Sequence, residues 1–176
     1  MLKVSHRQKY VCVIMPSAML QEGSANKAKK QEKITLLLEE ALNLSRQDPD
    51  RALQLAEQAL EQSREADKLT LSSCLYYCAE RHYDLSHYES SLGYAREALE
   101  LFQGLSETVA VIDTLDILGR SHEKLGKYPE AITYHERALA LSREQKDMAR
   151  VGKSLTNLGI VHYDQSDYRT AILHYL

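Results

Sequence analysis

Apolar residues recur at helical spacing through most of the chain, beginning near Ile34. The first series occupies three- and four-residue steps, at Ile34, Leu37, Leu38, Ala41 and Leu42. This spacing places the side chains on one face of a helix, so it predicts a helix over about residues 31–46. A second series predicts a partner helix over about 49–65. Between the two helices, Asp48 can cap the second one, and Pro49 is tolerated in a first helical turn.

The same pattern returns with a period of forty residues. Each unit is interpreted as a longer helix A, a short turn and a shorter helix B. The predicted pairs are 67–86 with 89–103, 107–125 with 129–144, and 147–166 with a last helix from about 169. Gly126 suits a left-handed cap between helices A and B, and Ser86 and Ser166 occupy the equivalent positions.

One family has this order and spacing of residues. Leu118-Gly119, His122, Tyr128, Ala131 and Ala138 resemble the signature of the tetratricopeptide repeat; Leu158-Gly159, His162, Tyr168 and Ala171 repeat it, and Cys78-Ala79, His82, Tyr88 and Ala98 form a weaker copy. The forty-residue length is similar to the long-helix variety of LGN-like scaffolds and of N-terminal regions in bacterial signalling proteins.

The resemblance implies an all-α fold, a right-handed α-solenoid of antiparallel helix pairs with about four repeats, the last truncated. Its units are expected at about 31–66, 67–106, 107–146 and 147–176. Residues 1–30 are expected to form a flexible, partly disordered leader. The apolar run in this leader is interrupted by Pro16 and Ser17, which makes it a poor match to a secretory signal.

Composition narrows the classes of function. The chain has 22 basic and 25 acidic residues. Because six of the basic residues but only one acidic residue lie in the first thirty positions, the remainder carries a net charge of −8. An acidic body disfavours nucleic-acid binding, and no apolar stretch approaches the roughly 20 residues needed to span a membrane. Three cysteines are too few for a disulfide framework, which favours a cytoplasmic location.

Three histidines at one period, His82, His122 and His162, raise the possibility of a metal site. Zinc would require their nitrogens to converge, whereas equivalent positions on successive repeats are about 10 Å or more apart. We therefore expect each imidazole to pack between helices A and B, with one hydrogen-bonded nitrogen and a residual possibility of pH sensitivity. Cys74 and Cys78 are predicted to be small packing residues rather than a redox pair.

No phosphate-binding loop, nucleophile elbow or metalloprotease motif is present in the sequence. The chain is therefore predicted not to be an enzyme and to need no cofactor. Our first hypothesis is a protein-interaction scaffold that binds a peptide or helix in the concave groove. The alternative is an N-terminal sensor segment of a larger signalling enzyme, of cyclase or kinase type, whose catalytic domain is missing from this chain.

The resemblance also implies which residues face the groove, since helix A lines it in this family. These candidates are Tyr76, Glu80, Tyr83, Asp113, Asp116, Arg120, Glu123, Lys153, Asn157 and Tyr163. Asn157 matches an asparagine that holds ligand backbone in peptide-binding members, but the two-asparagine carboxylate clamp is absent. An aromatic and acidic groove predicts a partner with basic and apolar side chains. Ile172, Leu173 and Leu176 are expected on an unfinished face, where self-association is possible.

Overall fold

The computed structural model describes residues 22–176, in which every regular element is an α-helix. The helices are α1 (Glu22–Leu44), α2 (Pro49–Ser63), α3 (Lys68–Asp84), α4 (Tyr88–Gly104), α5 (Thr108–Lys124), α6 (Tyr128–Glu144), α7 (Met148–Asp164) and α8 (Tyr168–Tyr175). From α3 onward, the predicted boundaries agree with these helices to within two residues. The odd-numbered helices are the A helices of the repeat, and the even-numbered helices are the B helices.

Each helix packs against the next one along the chain, and successive A helices also touch, α3 with α5 and α5 with α7. Small side chains lie buried where helices cross, notably Ala59, Ala98 and Ala138. Leucines such as Leu115 and Leu158 fill the space between the crossings. Close approach at alanine and filling by leucine are what helix-pair packing requires. The predicted all-α solenoid of helix pairs is confirmed.

The first helix differs from the prediction at its start. α1 begins at Glu22, nine residues before the predicted position. Its first half contains alanine and lysine, which favour helix, but lacks the apolar stripe on which the prediction depended. Two polar contacts hold this part of α1 in place: Lys30 Nζ lies 2.8 Å from Glu65 Oε2, and Gln31 donates to the Thr70 hydroxyl at 3.0 Å. The rest of the predicted leader, residues 1–21, lies outside the described residues.

The turns between helices repeat one backbone conformation. Gly126 has φ of +70°, as predicted, and Ser86 and Ser166 adopt φ of +62° and +64° at the equivalent positions. The B-to-A turns use the same device at Ser106 and Lys146, with φ of +59° and +55°. A left-handed residue closes the end of a helix and reverses the chain within a few residues. The turn of the first hairpin has no residue with a positive φ; there Asp48 caps α2 by accepting from the Arg51 N–H at 3.0 Å, as predicted.

Candidate functional site

The ten predicted site residues lie on α3, α5 and α7, at positions that recur every forty residues. We call the surface that these ten residues form on the three helices the A-helix face. Five candidates are buried there: Tyr76, Glu80, Asp116, Glu123 and Asn157. Tyr83, Asp113 and Arg120 are half-buried, and Lys153 and Tyr163 are exposed. The structure therefore places most of the predicted acids below the surface.

Asp116 on α5 is the centre of the contacts between α5 and α7. Its Oδ1 accepts a short hydrogen bond from the Asn157 amide, and its Oδ2 lies 2.8 Å from Lys153 Nζ. Arg120, one turn along α5, brings Nη1 to 3.8 Å from the same Oδ2. One buried carboxylate therefore faces two cations and one amide donor. Buried carboxylates are stable only when they are paired in this way.

Arg120 also connects α5 to α3. Its guanidinium carbon lies 4.0 Å from the centre of the Tyr83 ring, which is a cation–π contact. Burial alone would lower the pKa of Arg120, but the Asp116 carboxylate and Tyr83 outweigh it and raise the pKa above its usual value. The guanidinium stays charged, and it links the aromatic side chain of one repeat to the carboxylate of the next.

A second link between α5 and α7 involves Arg150, which the sequence reasoning did not include. The Arg150 guanidinium donates to both oxygens of Asp113, from Nε at 2.9 Å and from Nη2 at 2.7 Å. Nη1 also donates to Asp147 at 2.5 Å. The only sequence signal for this pair is the presence of opposite charges on successive A helices, at positions 37 residues apart. Two-point pairing fixes the orientation of the guanidinium as well as its distance.

The remaining acids of the A-helix face also lie near cations. Glu123 Oε1 accepts from Lys124 Nζ at 2.7 Å, and Glu80 Oε2 lies 3.7 Å from Arg81 Nη2. The Arg81 side chain is buried on α3, and it comes within 2.9 Å of Asp84. The predicted acidic residues are therefore present on this face, but each already faces a basic residue of the chain.

The aromatic candidates have different environments. Tyr76 is buried and meets Tyr77 edge to face, with ring centres 5.8 Å apart. Tyr163 is exposed and packs edge to face against Tyr168 at 5.3 Å. Tyr83 is tilted against Tyr88 at 5.5 Å. Tyr83 and Tyr163 are therefore the aromatic candidates that a ligand could reach.

The three periodic histidines each stack on a ring of their own B helix. His82 stacks on Tyr94 at 5.0 Å, His122 on Tyr134 at 5.3 Å, and His162 on His174 at 5.3 Å. The predicted packing between helices A and B is confirmed. The predicted hydrogen-bonded nitrogen is wrong for His82 and His122, because among the described residues neither ring has a hydrogen-bond partner on either nitrogen. Burial lowers the pKa of both imidazoles, which favours the neutral ring.

Cys74 and Cys78 are fully buried in the core, as predicted for packing residues. Burial raises the pKa of Cys74 to about 12 and raises that of Cys78 as well, so both stay as unreactive thiols near neutral pH. Within residues 22–176, no three His, Cys, Asp or Glu side chains come together in a group that could hold a metal ion. The third cysteine, Cys12, lies outside this range.

A separate cavity of about 490 Å³ opens between the α4–α5 turn and α6. It is lined by Gln103, Ser106, Thr108, Val111, Arg137, Ala140 and Leu141. None of the ten candidates lines it. None of the described helices is both long and apolar enough to cross a membrane.

Comparison with known proteins supports the repeat assignment. The family model described as tetratricopeptide repeat matches residues 110–176, the region that contains α5 to α8. Over these residues the chain is similar to the tetratricopeptide repeat family. The matched region contains seven of the ten candidates, and α3, which carries the other three, is the A helix of the tetratricopeptide-like unit before it. A comparison with curated proteins gives no match.

Several solved structures share the tetratricopeptide-like solenoid. The apo form of RapI is 20% identical, with a TM-score of 0.73, over 81% of this chain and 53% of that one. BtubC from P. vanneervenii is 25% identical, with a TM-score of 0.70, over 87% and 71%. The Rap conjugation gene regulator of the plasmid pLS20, solved with the Phr* peptide, is 14% identical, with a TM-score of 0.74, over 93% and 47%. This chain spans about half the length of the two Rap proteins.

Proposed function

We propose that this chain is a non-enzymatic protein-interaction scaffold whose A-helix face binds a peptide or a helical segment of a partner. One observation carries the proposal: side chains of three successive A helices contact each other across the repeats. Tyr83 meets Arg120, and Asp116 meets Lys153 and Asn157. These contacts join the three helices into one continuous surface of polar and aromatic groups.

The fold adds a second reason. Repeat solenoids use stacked helices to form long surfaces for extended ligands. The Rap regulator of pLS20, which has the same fold, was solved with a peptide. In this chain, Tyr163 and Tyr83 offer accessible aromatic rings, the side-chain type that most often contributes strongly to protein interfaces.

The proposal can be tested with peptides of about 12 residues selected from a displayed random library on the purified chain. Affinity for the selected peptides is then measured by fluorescence anisotropy for three variants. We expect Tyr163→Ala and Tyr83→Ala each to weaken binding about tenfold, since truncation of an aromatic anchor typically costs more than 1 kcal/mol. Leu36→Ala removes an apolar side chain on α1 that is as exposed as Tyr163, and it should leave the affinity unchanged.

Circular dichroism of each variant should show unchanged helicity, because Tyr163 is exposed and Tyr83 is half-buried. Failure to select any peptide, or binding that neither tyrosine variant weakens, would contradict a ligand site on the A-helix face.

A further inference from the structure

The charge that a ligand meets on the A-helix face differs from the charge that the sequence suggests. The side chain of Asp116 is only 6% exposed, whereas those of Arg120 and Lys153 are 28% and 52% exposed. The carboxylate lies beneath its two cationic neighbours. A ligand approaching from solvent therefore reaches the basic groups before it reaches the acid.

Asp116 also has more than one cationic neighbour. Asp116 carries one negative charge and faces two positive charges, from Arg120 and Lys153. Asp113 pairs with Arg150. Glu80 also acts on Arg120 but is itself buried beside Arg81. Asp116 is therefore outnumbered by the two cations it contacts, and both are more exposed than the acid.

The geometry places the two cations close enough to share a ligand. Arg120 Nη1 and Lys153 Nζ lie 3.8 and 2.8 Å from the same Asp116 oxygen. A carboxylate above them could contact both groups, since the planar guanidinium of Arg120 carries five N–H donors. Tyr83, which stacks on Arg120, provides an apolar surface next to this position.

We propose that the partner presents an Asp or Glu side chain to Arg120 and Lys153, with an apolar or aromatic residue beside it that packs on Tyr83. This inference rests on the proposed function and specifies its partner as an acidic peptide segment. It reverses the basic partner expected from the sequence, because that expectation counted the acids without their burial.

Other charged residues lie near Arg120 and Lys153. Lys124 is exposed at the end of α5, but Glu123 engages it and Asp164 also acts on it. Asp84 lies at the end of α3 beside Arg81. The neutral His135 ring lies deeper, on α6. Arg120 and Lys153, which share one buried acid, therefore form the centre of the proposed contact.

The test uses peptides from a displayed random library. They are displayed without a free C-terminal carboxylate and resynthesised as C-terminal amides. The expected result is that the selected sequences are enriched in Asp and Glu. Binding should weaken as salt rises from about 50 to 500 mM, because exposed charge pairs are screened. Enrichment in Lys and Arg would overturn the inference. A selected peptide that binds only as its C-terminal free acid would assign the patch to a chain terminus instead, which also overturns it.

Variants of the protein and the peptide then locate the contact. Lys153→Gln should weaken binding of an acidic peptide about fivefold, and Lys153→Arg should restore it because the charge is kept. Replacing the peptide's key Glu with Gln should weaken binding in the unaltered protein and weaken it less in Lys153→Gln, where only Arg120 still faces the peptide side chain. Additive losses in this double-mutant cycle would contradict a direct contact.

A matched control separates this site from general attraction to lysine. Lys124 and Lys127 have side chains that are equally exposed, at 43%, and each is paired with a glutamate. Lys127 belongs to the turn before α6 and pairs with Glu89 of α4. Lys127→Gln should leave the affinity unchanged. Peptides that require Tyr163 and Tyr83 but not Lys153 would leave the proposed function standing and refute only the acidic partner.

Discussion

Gly119 of α5 lies directly against the His135 ring of α6. A Cβ atom on Gly119 would lie 2.4 Å from Cε1 of the His135 ring, well inside van der Waals distance. Gly159 has the same relation to Tyr175, again at 2.4 Å. In the preceding repeat the equivalent positions are Ala79 and Ala95, both fully buried. Glycine is therefore used where the B helix presents a ring, and alanine where the B helix presents alanine.

This packing predicts that Gly119→Ala lowers the free energy of unfolding by about 1–3 kcal/mol, because the added methyl group overpacks a rigid ring. Urea denaturation monitored by circular dichroism measures the change. Gly93→Ala is the matched control: it lies in a helix with open space around the new Cβ, so it should stabilise by about 0.5–1 kcal/mol.

Combining Gly119→Ala with His135→Ala reproduces the alanine pair of the preceding repeat, so it should recover part of the loss attributed to the clash. Equal stability of Gly119→Ala and Gly93→Ala would contradict the packing argument.

The lowered pKa of His135 predicts how the free energy of unfolding depends on pH. Burial lowers its pKa from 6.5 to about 4; nearby Arg120 and Lys153 add to the effect, and Asp116 opposes it. The unfolded chain therefore binds a proton more readily than the folded one. The stability contributed by the neutral ring is fully present above about pH 6.5, and it is lost as the pH falls from 6.5 toward 4.

The loss should reach about 3 kcal/mol, since each pKa unit corresponds to about 1.4 kcal/mol. Urea denaturation at several pH values between 7 and 4 measures it. His135→Phe keeps an aromatic ring in the same space but cannot take up a proton, so its stability should fall less steeply over this range. Identical pH profiles for the two proteins would show that other groups, such as the buried His82 and His122, cause the loss.

At the scale of the helices, most of the architecture follows from the sequence because apolar spacing and turn chemistry agree from residue 67 onward. Gly126 and Pro129 mark one turn, and the forty-residue period transfers that turn to Ser86 and Ser166. The positions of the B-to-A turns follow from the sequence, but their left-handed residues do not, since Ser106 and Lys146 carry no residue preference for φ above zero. The start of α1 escaped it too, because its first half has helix formers but no apolar stripe.

The left-handed turn residues lead to a prediction for Lys146. A side chain with a Cβ atom is strained at φ of +55°, and glycine is not. Lys146→Gly should therefore stabilise the chain by about 1 kcal/mol in thermal or urea unfolding. Lys146→Ala is the control, since it removes the charged chain but keeps the Cβ atom, and it should change stability little. A gain of the same size in both variants would assign the effect to charge rather than to the backbone.

Across the whole molecule, the sequence identified the positions of the candidate site but not its electrostatics. The resemblance to the repeat family placed ten residues on three A helices, and all ten lie there. Their pairing depends on which side chains of neighbouring A helices meet in space. Asp113 contacts Arg150, 37 residues later in the sequence, and Asp116 contacts Asn157, 41 residues later. Residue types alone do not determine these contacts, so the sequence does not show that the acids are paired within the chain.

When residues 1–176 are studied on their own, the exposed apolar side chains of α8 predict association of two copies. Ile172 and Leu173 are 57% and 69% exposed, whereas Leu92, the counterpart of Ile172 two repeats earlier, is covered by the next helix pair. A two-fold contact between α8 faces would cover the same apolar residues in both copies. Sedimentation velocity should show a concentration-dependent dimer that Ile172→Ser with Leu173→Ser abolishes. Leu36→Ser, at an equally exposed leucine on α1, should leave the dimer intact. A monomer at every concentration, or a dimer that survives the α8 changes, would contradict this contact.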